Sequence, residues 1–250
     1  MANIYEIEYG CINIKGGVRT SNQDNFYVRK RYRFGSEKLN DITLFGTFRS
    51  NENSVVSVYD GMGGEACGDM ASLIAAGGTA EFDNRPGNSE QIVKALCLKL
   101  NELVNEYAQR NNVPSMGSTA AVIRFSANDI CCGNLGDSRI YRINERITQI
   151  SEDHTVKNYF RKKAPLTQYL GFMSDEIVLE PHIAHEDYTP GNAYLICSDG
   201  ITDMLTDDVI FSIVSTAPSV KEAVSELVSA ALKNGGIDNI TAILCKIKEI

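Results

Sequence analysis

The stretch Thr119–Ser151, TAAVIRFSANDICCGNLGDSRIYRINERITQIS, decides the fold. It contains four runs rich in apolar, β-branched and aromatic residues: Thr119–Phe125, Asp129–Leu135, Arg139–Asn144 and Arg146–Ser151. The breaks between them (Ala-Asn-Asp, Gly-Asp-Ser and Asn-Glu) are turn signals, far too short for the crossover that parallel strands require. The four runs therefore read as an antiparallel meander.

Upstream, Ile4–Lys15 and Asn25–Arg33 have strand character, and Ser54–Tyr59 is a short apolar strand ending on Asp60. Cys67–Phe82 reads as helix despite Gly77 and Gly78. Glu90–Arg110 is the clearest helix, because Ile92, Leu96, Leu100, Leu103, Val104 and Tyr107 recur at helical spacing. Asn88 or Ser89 can cap it. Downstream, Ala193–Cys197 is an apolar strand and Asp207–Ser215 a short helix. Ser219 and Glu222 make a capping box for the helix Val220–Lys233, Gly235-Gly236 stops it, and Ile240–Ile247 closes the chain as a strand. Runs of strands with helices grouped apart from them define an α+β fold, with helices packed on antiparallel sheets.

The 250 residues suit one domain, 1–250, and neither a repeat nor a Pro/Gly/Ser-rich linker divides them. A net charge of −8 argues against a nucleic-acid binder. No apolar run reaches the roughly 18–20 residues of a membrane span, and the N-terminus lacks a signal-peptide pattern. Seven cysteines, an odd number without a CxxC pair, sit mostly in apolar runs and read as buried free thiols. These features imply a reducing, cytoplasmic setting.

Five segments place an aspartate at or just beyond the end of an apolar strand: Arg19–Asp24, Val58–Gly64, Leu135–Arg139, Ile196–Gly200 and Asp238–Thr241. Taken singly, each is an ordinary Asp-Gly or Asp-Asn turn. Taken together, they gather carboxylates at one end of the sheets, where mutual repulsion and desolvation call for a cation. Oxygen donors without His or Cys suit a hard ion such as magnesium or manganese. A glycine after the aspartate lets a backbone carbonyl or a substrate phosphate come close.

In order and local sequence the five segments resemble the metal-dependent protein phosphatases, the type 2C serine/threonine phosphatases, and their compact bacterial members in particular. Gly117–Ala120, Ser151–His154 and Leu166–Gly171 fill the family's intermediate segments. The resemblance implies a β-sandwich of two mainly antiparallel sheets flanked by helices. It implies two manganese or magnesium ions bridged by a water that attacks phosphorus in line. Asp60 would bridge the ions and Gly61 would offer its carbonyl. Asp199 and Asp238 would hold the other ion, with Asp24 accepting from metal-bound waters. Asp137 with Asp199, and Asp203 beside them, resemble a third, weaker metal site. Arg19 matches the arginine that grips the substrate phosphate.

The implied partners are a phosphorylated protein substrate and a cognate serine/threonine kinase, with the phosphatase a monomer. Gln23 and Met62 replace a glutamate and a histidine of other members. The segment 154–169 is a shortened flap; its basic run Arg161-Lys162-Lys163 either steers a phosphorylated partner or is a solvated turn. His154, His182 and His185 fall outside the metal segments and read as structural or solvent-facing. Two alternatives are a catalytically inactive phosphatase-like binding module and an acidic cation-binding scaffold. Retention of Asp24, Asp60, Asp199 and Asp238 counts against the first, and Arg19 among the acids counts against the second.

Overall fold

Antiparallel pairing throughout builds two sheets in the computed structural model, which describes residues 3–34, 41–62, 67–157, 164–172 and 178–250. One sheet comprises β1 (Tyr5–Ile14), β3 (Ile42–Arg49), β8 (Arg139–Ile143), β9 (Ile147–Gln149), β11 (Ala193–Cys197) and β12 (Ile240–Glu249), in the order β3-β1-β12-β11-β8-β9. The second comprises β2 (Asp24–Val28), β4 (Val55–Met62), β6 (Ala120–Phe125), β7 (Ile130–Leu135) and β10 (His182–Glu186), in the order β10-β7-β6-β4-β2. The two-residue β5 (Gly117–Ser118) pairs with the end of β4.

Period-two alternation explains the layering. In β4, Val56 and Val58 face the other sheet; with Phe26 and Ile123 of their own sheet they share a core with Ile140, Ile196 and Ile243 of the facing one. Val55 and Tyr59 face outward into a second core under α1 (Gly68–Thr79) and α2 (Ser89–Arg110), which supply Ala75, Leu96 and Leu100. The other sheet is covered by α3 (Asp199–Thr202), α4 (Asp207–Thr216) and α5 (Val220–Lys233), whose Ile201, Ile210 and Leu227 pack on Leu195 and Leu244. β6, β7 and β11 are buried along their whole length because both of their faces are covered. The result is the expected α+β sandwich with helices outside both sheets.

The expected meander is split. β6–β7 and β8–β9 are hairpins, but the Gly136–Ser138 turn carries the chain from one sheet to the other. β7 already has β10 on its free edge, so β8 pairs with β11 instead. Strands β3 and β10 were not read from the sequence. Asn88 caps α2, its Oδ1 accepting the Gln91 N–H at 3.0 Å, while Ser89 turns its hydroxyl to Asp129 at 2.6 Å. Ser219 accepts the Glu222 N–H at 3.2 Å and donates to the Glu222 carboxylate at 2.9 Å, a variant of the expected box.

Among the described residues no helix is long and apolar enough to cross a membrane. All seven cysteines are free. Burial pushes the thiols of Cys97, Cys131 and Cys197 up to about 12, which keeps them protonated and inert.

Candidate active site

Antiparallel neighbours bring strand starts and strand ends to the same edge. Asp24 opens β2 and lies directly opposite Asp60 of β4 in the ladder. Asp137 follows β7, Asp199 follows β11 and Asp238 precedes β12. The expectation that each aspartate sits at or just beyond the end of a strand is thus corrected for Asp24, which is the first residue of β2, and for Asp238, which precedes β12. Asp24, Asp60, Asp199 and Asp238 nonetheless come together at one end of the sandwich.

Asp24 joins the two sheets. Its Oδ2 accepts from the Thr241 hydroxyl at 2.7 Å and the Ser198 hydroxyl at 2.7 Å. Thr241 is held in turn by Asn13 Nδ2 at 2.7 Å, and Asn13 accepts from Asn22 Nδ2 at 3.0 Å. Burial, opposed by the two hydroxyl donors and reinforced by Asp199 and Asp238, raises the Asp24 carboxyl to about 7. Its Oδ1 is buried and takes no hydrogen bond from the described residues.

Asp60 is fixed through its backbone. Its N–H donates to Thr119 Oγ1 at 3.0 Å, its carbonyl accepts the Thr119 N–H at 2.8 Å, and Thr119 Oγ1 pairs with Ser138 Oγ at 2.6 Å. The Gly61 N–H donates to the Gln23 carbonyl at 3.2 Å. A Cβ on Gly61 would lie 2.0 Å from the Gly68 carbonyl oxygen, and one on Gly200 would lie 1.9 Å from that of Asn239. Both glycines therefore admit a protein carbonyl, one of the two close approaches that the Asp-Gly pairs foretold.

Arg19 reaches the edge from the loop before β2. Its Nη2 donates to Asp238 Oδ2 at 2.7 Å with half of the side chain exposed. That bond raises the Arg19 pKa, with the charges of Asp238, Asp60 and Asp199 adding to it, so all three carboxylates share its field. The Asp203 N–H donates to the Asp199 carbonyl at 2.7 Å at the end of α3.

The candidate ligand atoms here are all oxygen, the buried Oδ1 of Asp24 takes no hydrogen bond from the described residues, and burial, reinforced by the charges of Asp199 and Asp238, raises the Asp24 carboxyl. Each of these features fits a hard divalent ion. Among the described residues no three His, Cys, Asp or Glu side chains form a ready-made cage. A hard ion in such a setting completes its shell with backbone carbonyls and water.

The histidines lie outside this set. His154 accepts the Gly136 N–H at Nδ1 (3.2 Å) and donates its own N–H to the Gly136 carbonyl (3.0 Å), bracing the turn that carries Asp137. His185 sits 3.3 Å from both Glu90 and Asp129, at the opposite end of the sheet. Met62 is the last residue of β4. Arg161, Lys162 and Lys163, with Gly63 and Gly64 of the Asp60 segment, lie outside the described residues. Sequence reasoning missed the buried polar partners Asn13, Ser138, Ser198 and Thr241, whose one signal is a polar residue interrupting or bordering an apolar strand.

A two-sheet sandwich faced by helices, with an all-oxygen carboxylate edge and an arginine beside it, defines a type 2C phosphatase architecture. The chain belongs to the Protein phosphatase 2C family, whose sequence model matches residues 38–242. It is similar to the serine/threonine protein phosphatase PstP of Mycobacterium tuberculosis, at 24% identity over 255 residues covering 96% of this chain and 45% of that protein. It thus spans about half the length of the mycobacterial relatives. Protein phosphatase PhpP of Streptococcus pneumoniae is 27% identical over 265 residues, covering 97% of this chain and 98% of that protein. Among solved structures, the PstP catalytic domain in complex with two manganese ions superposes with a TM-score of 0.80 at 25% identity, covering 99% of this chain and 100% of that one. PppA of Pseudomonas aeruginosa gives 0.78 at 26% identity, covering 98% of each chain.

Proposed function

We propose that this chain is a protein serine/threonine phosphatase that uses manganese or magnesium to hydrolyse phosphoserine or phosphothreonine on another protein. The single observation that carries the reading is Arg19 standing among Asp238, Asp60 and Asp199. A guanidinium in a carboxylate cluster that calls for cations has one further use: a bidentate fork for an anionic substrate.

Asp60, the Gly61 carbonyl, Asp199 and Asp238 would hold two ions, with the uncommitted Oδ1 of Asp24 supporting the same edge. Asp137, with Asp199 and Asp203, would serve a weaker third. When bound, such ions lower the pKa of water and neutralise charge on phosphoryl oxygens. The chain contributes rigid placement: Thr119 locks the backbone of Asp60, while Ser198 and Thr241 lock Asp24. Arg19 holds the phosphate by charge-assisted bonds and stays protonated throughout.

The same reading makes 1–250 one catalytic domain with a shortened flap around 154–169. It also makes the protein a cytoplasmic monomer opposed to a cognate serine/threonine kinase. No observation favours the inactive binding module, since every aspartate of the edge is present. Hydrolysis of a small aryl phosphate with manganese, with magnesium and with chelator tests the proposal. Activity with either metal and none with chelator is expected, and inactivity under all conditions overturns it.

A further inference from the structure

Asn239 is 4% exposed and uses its whole side-chain amide. Its Oδ1 accepts the Gln23 N–H at 2.8 Å, and its Nδ2 donates to the Lys15 carbonyl at 2.8 Å and the Ser21 carbonyl at 2.8 Å. One N–H and two carbonyls as partners leave the amide a single orientation. The three bonds grip both ends of the segment 15–23, and the Gly17 N–H adds a tie to the Gly236 carbonyl at 2.8 Å. Arg19 stands in the middle of this segment with half of its side chain exposed. A turn role for the Asp238-Asn239 pair is met by another bond, from the Asn239 N–H to Asp238 Oδ1 at 2.8 Å. The Asn239 side chain is free of that task and reaches across the chain to the Arg19 loop instead.

We propose that Asn239 is a positioning residue for substrate: it clasps the 15–23 loop so that Arg19 is held ready for phosphate beside the carboxylate edge. The inference rests on the phosphatase reading above. Binding is strengthened when a loop is ordered before the ligand arrives, because the ordering entropy is then already spent. Asn239 touches neither substrate nor reacting atoms; it acts through Arg19.

A double-mutant cycle tests this. Asn239→Ala should lower kcat/KM for a phosphothreonine peptide about tenfold, mainly through KM, the effect of losing one to two neutral hydrogen bonds. In an Arg19→Ala background the same substitution should cost less than about twofold, since the residue it serves is gone. Calorimetry with manganese alone should give unchanged affinity. A full tenfold penalty in the Arg19→Ala background, or a comparable loss of manganese affinity, would overturn the proposal by showing that Asn239 acts on Asp238. Asn239→Ser is the milder variant should Asn239→Ala fail to fold. Hydrogen exchange on the wild-type chain needs neither variant nor activity. The Gln23 amide should exchange on the order of a hundredfold more slowly than an unbonded one, and fast exchange there removes the clasp. A wild-type chain without phosphatase activity sinks the functional reading, while the exchange result still decides whether the clasp exists.

Discussion

At the scale of the residue, the edge separates groups by the kind of work they can do. In the proposed reading Arg19 offers a guanidinium outside the acids that would hold metal, so its contribution would be one that bound substrate and transition state share. Losing a charge-assisted bond costs roughly 1.5–3 kcal/mol, a factor of about 10–150 in kcat/KM. Arg19→Ala should therefore act chiefly by raising KM. Asp60→Asn should collapse kcat by several orders of magnitude, because it removes charge at the centre of the edge. Steady-state kinetics on both variants check the assignment, and an unchanged KM in Arg19→Ala would refute its half. The aspartates were legible in the sequence because each sits in a short local motif. The groups that hold them were not. Asp24 depends on Ser198 and Thr241, which lie 174 and 217 positions away, and no local pattern links such residues before the sheets form.

At the scale of the element, strong periodicity made α2, α5 and β11 legible, the last two to the residue. β3 was hidden by Gly46 in its middle, and β10 by its two histidines and a glutamate on a sheet edge. The split of the meander was illegible for a different reason. A three-residue turn signal reads alike whether the next strand folds back or crosses to the facing sheet; what decides is that β10 occupies the edge of β7.

Two predictions belong to this scale. Asn88→Ala removes the α2 cap at the end of the sheet away from the carboxylates. It should cost about 1 kcal/mol, lowering Tm by about 2–4 °C with kcat unchanged; an unaltered Tm in calorimetry would count against the cap. The second concerns pH. Burial lowers the pKa of His154, and its Nδ1 lone pair is taken by the Gly136 N–H. The unfolded imidazole binds a proton near pH 6.5, whereas the folded one resists, so the unfolded state carries more protons below that value. The contribution is fully present above pH 6.5 and is lost as pH falls through and below it. Urea unfolding of wild type and His154→Gln, in chelator at pH 7.5 and 5.5, should show a smaller pH dependence in the variant. Identical pH dependence would exclude His154 as its source.

At the scale of the whole molecule, the sandwich is a device for bringing distant carboxylates to one rim. Strand order places β2 and β4 on one sheet and β11 and β12 on the other, with the Asp24 bonds to Ser198 and Thr241 stitching the sheets at that rim. Two outer cores under α1–α2 and α3–α5 keep both sheets rigid against the charge gathered there. The α+β class and the rim were readable from composition, strand patterning and motif order. Which strand faced which was fixed only by tertiary pairing. The most direct test of the central claim is release of inorganic phosphate from a phosphothreonine peptide by wild type and Asp60→Asn, with manganese and with excess chelator. Turnover by wild type with manganese, none with chelator, and a near-complete loss in the folded Asp60→Asn variant are expected. Chelator-resistant turnover, or full activity in Asp60→Asn, would contradict it.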